Sequence, residues 1–165
     1  MKMCRRCGDL SLKSEIRRIA GIAFLALALP FPAPASLGGD MTTVQADQMR
    51  MQGTLRSTST QAYTVHEIQA PNGVAVREFV SPAGKVFGVA WQGTTQPDLR
   101  QVLGTYFDQF TQAVQAERSR HPGHGPLSIQ TPGLVVQLGG HMRAFAGKAY
   151  VPQMMPTGVR AEEIR

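Results

Sequence analysis

Apolar residues recur along this chain with two different periods. From Leu99 onward, Leu99, Val102, Leu103, Tyr106, Phe107, Phe110, Ala113 and Val114 follow one another at helical spacing, which lines one face of a helix. The pattern predicts an amphipathic helix ending near Ser119. Thr95-Gln96-Pro97-Asp98 opens it with a capping hydroxyl, a proline tolerated in the first turn and a carboxylate near the positive end of the dipole. Burying each large side chain of the stripe contributes about 1.5–3 kcal/mol. Gly104 costs about 1 kcal/mol relative to alanine inside a helix, which suggests a close crossing there.

The second period is two, and it predicts strands. Ala62–Gln69, Val74–Val80 and Lys85–Gln92 are separated by Pro71-Asn72-Gly73 and Ser81-Pro82-Ala83-Gly84, both turn sequences. In the third strand Phe87, Val89 and Trp91 are expected on one side, with Val86, Gly88 and Ala90 on the other. The small residues are expected to admit the following helix closely, and Trp91 to enter the core. Beyond the loop His121–Pro126 come three more short strands, Leu127–Gln130, Leu134–Leu138 and His141–Val151. Gly139-Gly140 is the expected turn between the last two. Residues 36–60 read as irregular, apart from a short helix over Thr42–Met51 with Val44, Met49 and Met51 as its apolar contacts. The tail, 152–165, is expected to dock loosely or fray. The whole predicts an α+β domain over 61–151, one long amphipathic helix packed on an antiparallel sheet in the order β-β-β-α-β-β-β.

Residues 1–35 stand apart from the rest of the chain in composition. Basic residues precede the apolar run Ile19–Leu29, and Ala33-Pro34-Ala35 follows. That order marks a secretory leader, with a cut expected after Ala35. The run is about half the length of a bilayer core as a helix, so a cleaved leader is a better reading than an anchor. The chain carries 17 Lys+Arg against 11 Asp+Glu, and residues 1–35 hold six of the former and two of the latter. Without them the chain is close to neutral and lacks the basic footprint of a nucleic-acid binder. Cys4 and Cys7, the only cysteines, belong to the same segment. The expected mature chain, Ser36 to Arg165, is cysteine-free, periplasmic or secreted, and without a transmembrane segment.

Reactive side chains are sparse. None of the serines after residue 35 sits in a G-x-S-x-G elbow. His121, His124 and His141 are the one plausible metal constellation, since two histidines three residues apart can share zinc or copper. No acidic residue lies near H-P-G-H in the sequence to orient the rings. Glu67 and Glu78 face each other across the first hairpin in one register, and a one-residue slip puts His66 opposite Arg77 instead. Gly139-Gly140 can form an anion-binding nest, although a hairpin accounts for the pair by itself.

Three runs carry a family resemblance: Val76 to Gly93, Pro97-Asp98-Leu99 through Leu103-Gly104-Thr105-Tyr106-Phe107, and Gly139-Gly140-His141-Met142-Arg143-Ala144-Phe145. The chain resembles a family of exported proteobacterial proteins catalogued only as a domain of unknown function. The resemblance implies export and one small domain, and carries no activity or site residues. The function expected from all of this is a non-catalytic binding or envelope-interaction module, with an unidentified protein or envelope component as partner and no cofactor. Asn72, Arg77, His141 and Arg143 are its candidate contact residues. The alternatives are a metal-binding protein or metal-dependent enzyme using His121, His124 and His141, and a structural component of an envelope assembly.

Overall fold

The computed structural model describes residues 36–121, 123 and 125–165. The predicted leader and both cysteines lie outside the described residues. Seven strands form one antiparallel sheet: β1 (Thr54–Ser59), β2 (Thr64–Gln69), β3 (Ala75–Val80), β4 (Val86–Gly93), β5 (Leu127–Thr131), β6 (Leu134–His141) and β7 (Ala144–Tyr150). Their spatial order is β1-β2-β3-β4-β7-β6-β5. The α+β class and the antiparallel sheet are as the pattern predicts, with one strand more than the predicted order. That strand is β1, inside the segment read as irregular. Its sequence, TLRSTS, is polar and almost wholly exposed, as suits an edge strand, and so carries no alternation to find.

The helical stripe behaves as its spacing requires. Helix α1 (Met41–Met51) is capped by Asp40, whose carboxylate accepts from Thr42 N at 2.9 Å. These bonds hold the Asp40 carboxyl below its ordinary range. Helix α2 (Leu99–Leu103) is capped by Asp98 and passes through a 3₁₀ turn into α3 (Phe107–Arg120). The break falls at Gly104, whose φ is +53°. All eight stripe residues join one apolar cluster, with Val102, Leu103 and Phe110 buried. Among the described residues no helix is long and apolar enough to cross a membrane.

Side allocation in β4 departs from simple alternation. Phe79 pairs with Gly88 while Val80 pairs with Val86, so a bulge places Phe87 out of register. Bulges re-aim side chains in this way. Val86, Val89 and Trp91 consequently face the helices, whereas Phe87 and Ala90 face the other side. Trp91 is buried, as expected. The small-residue face receives the C-terminal tail and not the helix. A methyl group at Gly88 would lie 2.9 Å from Ile164 Cδ1, so glycine is needed for that approach.

The tail, expected to dock loosely or fray, is docked by a buried side chain. Ile164 is fully buried beside Phe79, Phe87 and Ala90. Lys148 Nζ donates to Ala161 O at 2.8 Å, Arg77 Nη1 to Arg165 O at 2.9 Å, and Tyr63 Oη to Glu163 Oε2 at 3.2 Å. Tyr63, Phe79 and Phe87 stack around this contact with centroids 5.8–6.2 Å apart.

The last hairpin also differs from expectation. Gly139 and Gly140 lie within β6, paired with Ala146 and Phe145, and the turn is Met142-Arg143. Gly140 has φ +109°, and a side chain there would overlap the Ala144 carbonyl. Close backbone approach explains the glycine. Arg143 has φ +65°, a left-handed conformation that costs a residue with Cβ about 1–2 kcal/mol. Arg143→Gly is therefore expected to stabilise the fold by about 1 kcal/mol and to raise Tm by about 4 °C, read by thermal denaturation.

Candidate functional site

The two sheet faces carry different chemistry. On the helix-free face the tail covers the middle of the sheet and leaves a groove of about 430 Å³ beside it. The register puts Ala75 and Arg77 of β3, Ala90 and Gln92 of β4, Ala146 and Lys148 of β7, and Gln137 and Gly139 of β6 on this face. Alanine and glycine keep the floor low. Arg77, Lys148, Gln92 and Gln137 supply donors around it, and Ile164 and Arg165 form one wall. Nothing lies within 4 Å of a methyl group built on Gly139, so the groove is open there. Arg77 also binds Glu67 Oε2 at 2.6 Å. That pair is partly exposed and worth at most about 1 kcal/mol.

The helix-covered face holds a sealed polar cluster. Residues 67 and 77 are opposite one another, and so are 66 and 78. This register lies between the two weighed from the sequence: Glu67 does not face Glu78, and His66 does not face Arg77. A five-residue loop, 70–74, fixes it, with Asn72 Oδ1 accepting from Val74 N at 3.2 Å. Glu78 is thereby placed under α1 with no exposed surface, and His66 beside it is also buried. Ser36 Oγ lies 2.8 Å from Asp47 Oδ2 and in close hydrogen-bond contact with Glu78 Oε1. Gln101 Nε2 donates to Asp47 Oδ1 at 2.9 Å. Among the described residues, Glu78 Oε2 is buried without a partner.

Burial dominates the electrostatics of this cluster. It pushes the Glu78 carboxyl up to about 8, with the Asp47 charge adding to the effect and the Ser36 bond opposing it. The same cause lowers His66. Ser57 Oγ lies 2.7 Å from His66 Nδ1, so a serine, an imidazole and a carboxyl stand in one row across β1, β2 and β3. No hydrogen bond joins His66 to Glu78 among the described residues, and the row lacks the orienting link that a hydrolytic triad uses.

The residues singled out by sequence are dispersed. Arg77 lines the groove. Asn72, His141 and Arg143 sit at one end of the sheet, but the β3 and β6 strands that carry their turns are three strand spacings apart, about 14 Å. Asn72 borders a separate cleft of about 250 Å³ with Asp98 and Gln101. His141 is exposed, with Nδ1 3.2 Å from Met142 O. His121, at the end of α3, is bound to Glu117 Oε1 at 2.9 Å, so an acid one helical turn back does orient this ring, contrary to the expectation that none was near. His124 lies outside the described residues. Among the described residues no group of three or more His, Cys, Asp or Glu is placed to hold a metal. Sequence reasoning missed Lys148, Gln92, Gln137 and Ala146, because their common face depends on the β4–β7 and β6–β7 pairings.

Fold and groove together define a small α+β protein whose sheet is covered by helices on one face and partly strapped by its own tail on the other. The chain belongs to the family described as protein of unknown function (DUF2844), which it matches over residues 33–164. No curated protein and no solved structure matches it.

Proposed function

We propose that the protein is an exported, non-catalytic binding module whose ligand lies in the groove on the helix-free face. The observation that carries this reading is the groove itself: an apolar floor of Ala90, Ala146 and Gly139 rimmed by Lys148, Gln92, Gln137 and Arg77. Cavities of this size and mixed character take small molecules or short segments of a polymer. The complementary ligand has an apolar face for the alanines and hydrogen-bond acceptors for the lysine and amides. The titratable groups of the other face are buried and out of its reach. Export is supported by the leader pattern of residues 1–35.

Ala146 is exposed at the groove floor, so Ala146→Trp fills the groove at little cost to the fold. Native mass spectrometry of the protein recovered from its host is expected to show a discrete bound mass, lost in Ala146→Trp. Identical spectra for the two proteins would contradict the proposal.

A further inference from the structure

Within the buried acid pair of Asp47 and Glu78, Glu78 lacks a counter-ion among the described residues. Asp47 and Glu78 converge on one hydroxyl, Ser36 Oγ, and a hydroxyl has one proton to give. The other groups facing them are Gln101 from α2, His66 from β2 and Arg50 from α1, whose Nη1 is 4.0 Å from Asp47 Oδ1. None of these reaches Glu78 Oε2.

Ser36 is itself buried, at 2% exposure. Its N–H donates to Gln101 O at 3.4 Å, Leu37 N donates to Val102 O at 3.2 Å, and Gly38 N donates to Val86 O at 2.8 Å. Residues 36–38 are thus pinned between α2 and β4, in the interior, whereas chain ends ordinarily lie at the surface. This is also the residue at which the A-x-A pattern places the cut. Two independent observations, the leader sequence and the orphaned carboxylate, meet at one bond.

We propose that processing of the Ala35–Ser36 bond places the new α-ammonium of Ser36 against Asp47 and Glu78, so that export itself supplies the missing cation. The inference rests on the export reading given above. Hydrolysis by a leader peptidase adds one water across the amide, leaving a carboxylate on Ala35 and an amine on Ser36 that takes up a proton. The nitrogen is two bonds from Cβ, which puts it roughly 3 Å from its own Oγ and within reach of both acids. One of its three protons keeps the Gln101 bond. The other two serve the carboxylates, including the unpartnered oxygen. The folded state is then completed by cleavage, in the manner of an N-terminal latch.

The test uses protein exported by its host. Intact mass and N-terminal sequencing are expected to give Ser36 as the first residue, and its amine is expected to acylate at least tenfold more slowly at pH 8 than in the urea-unfolded chain. Adding one glycine before Ser36 is expected to lower Tm more at pH 8 than at pH 5, and Glu78→Gln to remove most of that difference. A chain that still begins at Met1 would overturn both the export reading and the latch. A chain beginning at Ser36 whose amine reacts as fast folded as unfolded, or whose glycine-extended form melts identically at both pH values, would overturn the latch alone. Cleavage at another bond would do the same.

Discussion

Ile164→Ala is expected to lower the unfolding free energy by about 2–5 kcal/mol, the range for truncating a fully buried large aliphatic residue. Ile164 has no exposed surface and closes the aromatic cluster of Tyr63, Phe79 and Phe87. Its removal leaves a void against Gly88 and weakens the hold on Ala161 and Arg165, which also bind Lys148 and Arg77. The loss is therefore expected to extend to the groove wall, with faster proteolysis of residues 156–165. Urea denaturation measures the first effect and limited proteolysis the second. A neighbouring exposed substitution, Glu162→Ala, is expected to stay within about 0.5 kcal/mol. Equal stability of Ile164→Ala and wild type would mean that the tail is not part of the folded unit.

The second large effect is electrostatic. In any chain that carries a residue before Ser36, stability is expected to fall by roughly 3 kcal/mol between pH 5 and pH 8. Burial raises the folded Glu78 from 4.5 to about 8. A raised acid binds its proton more tightly in the folded state. Its contribution is complete below the unfolded value and disappears as pH rises through the folded one. Glu78→Gln keeps the shape and removes the titration, so its stability is expected to be flat across the same window. Urea titrations at pH 5 and pH 8 on the Gly-extended chain decide the matter. A flat profile in that chain, or an unchanged slope in Glu78→Gln, would show that Glu78 is not the group responsible.

What could be read in the sequence was whatever repeats locally. The Leu99–Val114 stripe states its own period, and all its members lie in the core or pack against it. The Asn72-Gly73 and Ser81–Gly84 turns carry their own backbone chemistry. Features set by distant pairing were hidden. The bulge at Phe87 reverses two side chains without any local signal. The 66–78 register is one residue from either alternative, and only the five-residue loop decides it. The polar edge strand β1 has a single apolar residue, Leu55, packed on the cluster. The tail reads as polar and proline-bearing, while Ile164, with Met154, Met155 and Val159 packed on the same cluster and three hydrogen bonds to the sheet face, holds it down. The groove was legible only at Arg77, since its remaining donors come from three strands that the chain brings together late.

Backbone amide shift mapping tests the binding reading most directly, using isotope-labelled protein titrated with the small-molecule fraction of its host's envelope. Perturbations are expected to concentrate at Gln92, Ala146, Lys148 and Gln137, with Ala146→Trp abolishing them. Perturbations confined to the His141–Arg143 hairpin, or an unchanged spectrum with every fraction, would contradict that reading.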